Sequence, residues 1–143
     1  MSDGPSPNLR WSEMACKDSA RTPYPAEWRR TRAVSLAFAF EAVRCEYGLP
    51  IAILSGYRTP AHNKSIPGAS KNSQHMQGRA LDLKPLKGKP LRPLIEAVQA
   101  VARRGDTDLR GVGLYETFVH IDVRQSEHVV TWPGSSLRKQ ADA

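Results

Sequence analysis

Two histidines and an aspartate, His75, Asp82 and His120, are the residues of this chain whose types and spacing could hold a metal ion. Two imidazoles and one carboxylate form the donor set of a catalytic zinc site, which takes three protein ligands and leaves the fourth position to water. Zinc so placed lowers the pKa of that water and polarises a carbonyl, and a general base must then accept a proton. Two carboxylates have the right parity to act as that base, Asp122, two residues after His120, and Glu116, four residues before it. Asp122 falls within the expected strand, whereas Glu116 falls near a turn. Each residue also has an ordinary explanation. A strand histidine is commonly a hydrogen-bonded side chain, and Asp82 between two leucines can pair with Arg58 or Arg79. Spacing alone leaves both readings open.

For the three donors to meet, the segments bearing Asp82 and His120 must be neighbouring strands, since adjacent strands ~4.8 Å apart let side chains on one face converge. In Ala80–Leu83, Leu81 and Leu83 point one way and Asp82 the other. In Phe118–Val123, Val119, Ile121 and Val123 face one side, with Phe118, His120 and Asp122 on the other. This second strand forms a hairpin with Gly111–Leu114. A further strand is expected over Ile51–Leu54, followed by a loop and short helix from Arg58 to about Ser65. Two helices back the sheet. The first spans about Pro25 to Tyr47, with Leu36, Phe40, Val43 and Tyr47 in one stripe and Gly48 as its stop. The second spans Leu91–Arg104, ending at Gly105. Ile66–Gln74 and Lys84–Pro90 are rich in turn-forming residues and should be irregular. Helix, strands, helix, strands indicates an α+β fold: a small antiparallel sheet backed by helices, in a single domain with the zinc site on the sheet face. The domain spans residues 23–132, preceded by an arm (1–22) that packs on it and followed by a flexible tail (133–143).

The 143 residues are 40% hydrophobic and 24% charged, a globular composition of one domain's length. No apolar run reaches the ~18–20 residues needed to span a bilayer, and the first twenty residues lack the apolar centre of a secretory signal. Export, if needed, is therefore expected to be supplied by other proteins. The net charge of +7 is uneven: Ser55–Arg92 holds eight basic residues against Asp82, while the remainder carries 13 of each sign. Such a field attracts anionic partners. Nucleic acid is disfavoured, because no basic recognition helix or aromatic-rich RNA-binding strand accompanies it. Cys16 and Cys45 are too few for a disulfide framework and are either two thiols or a single bridge.

SGYRTPAHN (55–63), SQHMQGRALDL (73–83) and FVHIDVR (118–124) together resemble the M15 family of zinc D-Ala-D-Ala peptidases, most closely the M15A-type carboxypeptidase domain of bacterial cell-wall enzymes and phage lysins. The middle segment fits S-x-H-x-x-G-x-A-x-D at every fixed position. The resemblance implies a hedgehog/DD-peptidase-like fold, Zn2+ as cofactor and His75, Asp82 and His120 as its ligands. It makes Arg58 a catalytic and substrate-gripping residue and places Tyr57, Ser73 and Gln74 with the substrate, peptidoglycan stem peptides. Gly78 would let its loop approach the metal closely, or simply serve a turn. Many relatives carry a glutamate three residues before the last histidine, where this chain has Thr117. Asp122 is therefore the preferred base, with Glu116 second. The implied activity is hydrolysis of a D-alanyl peptide bond by a monomeric, phage-type lytic enzyme. L-Ala–D-Glu cleavage on the same scaffold, or a silent zinc domain that binds wall fragments or a protein partner, are the alternatives.

Overall fold

The stripe that ends at Gly48 forms α2 (Arg32–Tyr47) in a computed structural model that describes residues 3–134. Gly48 adopts φ 80°, and its N–H closes the last turn on the Arg44 carbonyl at 2.9 Å. The expected start at Pro25 is corrected. Pro25 precedes a separate 3-10 turn at Ala26–Trp28, and Thr31, at φ −123° and ψ −90°, breaks that turn from the helix. Trp28 packs edge-on against Tyr24 and Tyr57, with ring centroids 6.3 and 6.0 Å away, and this tertiary contact takes the first turn off the helix axis.

The remaining elements are α1 (Trp11–Met14), β1 (Ile51–Ser55), α3 (Pro60–Ser65), β2 (Ala80–Pro85), α4 (Arg92–Arg104), β3 (Gly111–Leu114), β4 (Val119–Asp122) and β5 (Val130–Pro133). They form one small α+β domain whose sheet runs β1-β2-β4-β3-β5. The sheet is mixed, where a wholly antiparallel one was expected: β5 lies parallel to β3. Both edges of β4 are already paired, so the following strand takes the open edge of β3 and reaches it by crossing over. Pro133 ends β5, so the first residue assigned to a loose tail belongs to the sheet, and the Gly134 N–H beyond it binds the Leu114 carbonyl at 2.6 Å. The rest of that segment, 135–143, lies outside the described residues.

Leu36, Phe40 and Val43 of α2 and Leu94, Val98 and Val101 of α4 share one core with Leu81, Leu83, Val112, Val119 and Ile121 of the sheet. Each such side chain contributes ~1.5–3 kcal/mol on burial. That apolar face sets the strand register, because a one-residue slip would turn every side chain over. Asp82 and His120 are held on the opposite face for the same reason.

The arm is anchored by Leu9 and Met14, both fully buried, and by Glu41, whose carboxylate accepts from Ser6 Oγ (2.6 Å) and from the Asn8 backbone and side-chain amides (2.8 Å each). The Met14 carbonyl accepts the Tyr57 N–H at 2.8 Å, and a Cβ on Gly56 would come within 2.8 Å of the Met14 backbone. The arm thus presses on the turn that leaves β1. Cys16 is buried, Cys45 is exposed, and both are free thiols. Among the described residues, no helix is long and apolar enough to cross a membrane.

Candidate metal centre

Antiparallel pairing of β2 with β4 sets Asp82 directly opposite His120 and Leu81 opposite Ile121. His75 comes from a 3-10 turn at Gln74–Gln77. Ser73 Oγ caps that turn by accepting the His75 N–H at 3.1 Å, and Gly78 closes it at φ 68°. The space a side chain would need at Gly78 is filled: a Cβ would lie 2.6 Å from Trp28 Cε3 and 2.9 Å from the Tyr24 hydroxyl. Gly78 therefore serves the turn and the aromatic packing beneath it.

One donor atom from each of His75, Asp82 and His120 lies within 4.8 Å of the others, and all three residues are buried. Asp82 Oδ1 is 3.1 Å from His75 Nε2 and 3.0 Å from His120 Nδ1. The outer ring nitrogens fix what the inner ones present. His75 Nδ1 is 2.7 Å from the Gly56 carbonyl, which can only accept, and His120 Nε2 is 2.7 Å from the Asp122 carboxylate. Each neutral ring thus donates outward and turns a lone pair inward, so three lone pairs converge on one point. This donor set fits a divalent metal ion.

The surrounding charges act differently on the three groups. Burial pushes the Asp82 carboxyl up, but the adjacent His75 and the imidazole hydrogen bonds outweigh it and hold the group well below the usual carboxylate range. Burial also lowers the His75 pKa, so this ring favours the neutral form that ligates. For His120 the burial effect is overcome by hydrogen bonds to Asp122 and Asp82, which raise it.

Arg58 approaches from the turn after β1. Its Nη2 donates to Asp82 Oδ2 (3.3 Å), its Nε to Ser55 Oγ (3.2 Å) and its Nη1 to Asn63 Oδ1 (3.2 Å). Buried Asn63 in turn donates to the Ser70 carbonyl at 2.9 Å. A cavity of about 940 Å3 opens over the centre, and Arg58, Ser73, Gln74, His75, Asp82 and His120 all line it.

Three other expected site residues are placed elsewhere. Asp122 is fully buried behind His120 and outside the cavity lining. Its Oδ1 accepts from Arg124 Nε (2.9 Å) and from the Arg124 backbone N–H (3.1 Å), and its Oδ2 from Arg124 Nη2 (2.8 Å) as well as His120. Despite burial, the Arg124 hydrogen bonds hold the Asp122 carboxyl well below its usual range. Its oxygens thus face His120 and Arg124 rather than the cavity. Tyr57 turns away from the cavity into the cluster with Tyr24 and Trp28, since its neighbour Arg58 takes the inward direction. Glu116 sits exposed in the turn between β3 and β4, flanked by Tyr115 and Phe118, which do line the cavity.

Sequence reasoning gave no role to Tyr115, Trp132, Asn63 or Arg124. Tyr115 stacks on Phe118 with centroids 4.3 Å apart, and Trp132 lies 5.2 Å from the His120 ring and 4.7 Å from the Arg124 guanidinium. Asn63 and Arg124 close the two quoted end motifs, which was their available signal. Trp132 carried none, because β5 itself was unrecognised.

A comparison with curated proteins finds no match. A family model described as Peptidase M15 matches residues 7–122, which includes all three converging donors. Peptidases of this family are metal-dependent, in keeping with the His-Asp-His cluster. The chain belongs to the M15 peptidase family.

Proposed function

We propose that this protein is a zinc peptidase of the bacterial cell wall that hydrolyses a D-alanyl peptide bond in peptidoglycan stem peptides. The observation that carries the reading is the convergence of His75, Asp82 and His120 at an open cavity in a chain of the M15 family. Zinc held by these three residues would activate a water and polarise the scissile carbonyl.

The chain's own groups supply the rest. A guanidinium has five N–H donors, and Arg58 spends three on Ser55, Asn63 and Asp82. The two that remain, one on each Nη, grip a substrate carboxylate or the oxygen on which negative charge develops. Ser73 and Gln74 offer polar groups to the peptide, and Tyr115, Phe118 and Trp132 give it an apolar wall. With Asp122 held between His120 and Arg124, Glu116, in the turn between the cavity-lining Tyr115 and Phe118, is the carboxylate we propose takes the proton from the attacking water and returns it to the leaving amine.

Mass analysis of muropeptides after digestion of purified murein tests the reading. The expected fragments have lost a terminal D-alanine or have an opened D-Ala cross-link, chelation stops their release, and added zinc restores it. Masses reporting L-Ala–D-Glu cleavage would move the bond, and intact murein after exposure to zinc-loaded protein would overturn the activity. Glu116→Gln should retain its zinc and lose about 10²–10⁴-fold in turnover, the usual worth of a general base. Full turnover in that variant would exclude Glu116.

A further inference from the structure

A second pocket, of about 360 Å3, lies at the N-terminal end of α2 and is lined by Thr31, Arg32, Ser35, Arg79, Asp108, Arg110, Val123, Arg124, Gln125 and Ser126. Of its four guanidinium groups, Arg124 is paired with Asp122. Arg32, Arg79 and Arg110 make no ion pair with any described residue. Arg32 donates to the Gln77 carbonyl (2.9 Å) and covers the Trp28 ring, and Arg110 donates to the carbonyls of Thr107 (2.8 Å) and Leu109 (2.9 Å). The one carboxylate on the wall, Asp108, accepts from Ser35 Oγ at 2.6 Å.

We propose that this pocket is an anion site that takes a phosphate group carried on a polyol or sugar chain. Three observations converge. Three half-buried guanidinium groups against one carboxylate leave an excess of positive charge in a concave wall, where fields are focused. The first turn of α2 adds to it as the positive end of a 16-residue helix, where Thr31 makes no side-chain cap and the turn holds no acid. Arg32 places a further cation beside that positive end. The pKa of Arg79 is lowered by burial and then by the charge of Arg32.

The size and the remaining lining select the ligand. A water's share of liquid volume is ~30 Å3, so the pocket exceeds what a single phosphate ion needs. Thr31, Ser35, Gln125 and Ser126 supply neutral hydrogen-bonding groups for hydroxyls that flank the phosphate. Guanidinium groups match phosphate oxygens better than they match any neutral saccharide. Arg124 borders both pockets, but Arg32, Arg79 and Arg110 lie outside the metal cavity, so the site does not depend on the peptidase reading.

Calorimetric titration with inorganic phosphate and with glycerophosphoglycerol, at ionic strength fixed with chloride, tests the proposal. The diester is expected to bind the protein more tightly than inorganic phosphate, and both should raise its melting temperature. Arg79→Gln and, separately, Arg32→Gln should each weaken binding by about tenfold or more, the loss expected for one charge-assisted hydrogen bond. Arg103→Gln, on the exposed face of α4, should leave it unchanged. Folding of each variant is read by circular dichroism, and two independent variants keep the test open if one misfolds. Equal affinity for both probes would assign the site to free phosphate and overturn the polymer-borne ligand. Binding that is absent, or insensitive to both Arg79 and Arg32, would overturn the site itself. Murein digestion reads the metal cavity separately, so failure here leaves the peptidase reading standing, and the converse holds.

Discussion

His75→Ala is expected to lose its metal and its peptidase activity together while remaining folded. The residue supplies one of the three donors that converge among the described residues, so its removal leaves two of them. Removing a group that merely supports a ligand costs about 10–100-fold in metal affinity, and removing the ligand itself should exceed that upper figure. The variant also leaves the Gly56 carbonyl without its 2.7 Å partner, a penalty of about 1–3 kcal/mol if no water replaces the imidazole. The measurement is zinc stoichiometry by elemental analysis, paired with thermal melting and murein digestion. His128→Ala, at an exposed position outside the cluster, should be indistinguishable from the unmodified protein. One full equivalent of zinc in the His75 variant would remove the basis for the proposed function.

Asp122→Ala should damage metal affinity and stability more than a lost base would. Asp122 holds the outer nitrogen of His120, and Arg124 holds Asp122. Deleting that carboxylate frees the ring to rotate or change tautomer, for an expected loss of about 10–100-fold in metal affinity. It also strands Arg124. Breaking a buried pair costs ~3–5 kcal/mol, and the lower end applies because Arg124 keeps partial access to water. The pH dependence has a definite sign. The folded carboxyl lies below its unfolded value of ~3.9, so its contribution is complete above that pH and fades as the pH falls through and beyond it. Acid unfolding of the Asp122 variant should therefore be less steep than that of the unmodified protein. Unchanged zinc affinity with turnover alone abolished would restore Asp122 as the base.

The donors were legible in the sequence because three independent patterns coincide at them. Alternation placed Asp82 and His120 opposite leucine, valine and isoleucine, and the hydrophobic face then left one register available. His75 was marked by the S-x-H-x-x-G spacing, whose serine and glycine are the cap and stop of its turn. What alternation could not show is how deep each residue on the polar face lies. His120 and Asp122 have the same parity, yet His120 lines the cavity and Asp122 is sealed behind it, because Arg124 and the close passage of Gly111 enclose the carboxylate. A side chain at position 111 would coincide with that carboxylate, and no local pattern encodes such a cross-strand vacancy. The parallel strand β5 was missed for a related reason: its partner is set by which sheet edge stays open once the other strands have paired. Tyr57 illustrates the same limit, since only its neighbours Tyr24 and Trp28 decide which way it turns.

The two sides of the cleft are built differently. On one, Tyr115 is stacked on Phe118, Gly134 is seated against the Tyr115 ring, and Trp132 leans on His120, all fastened to β3 and β5. On the other, residues 66–73 carry no regular element and are tied to α3 through the Asn63 amide on Ser70. The cleft thus pairs one wall built on the sheet with one built from a loop. Discrimination between slender and bulky peptides would then be retuned by exchanging residues 66–72 as a cassette, with the His75-Asp82-His120 centre left intact.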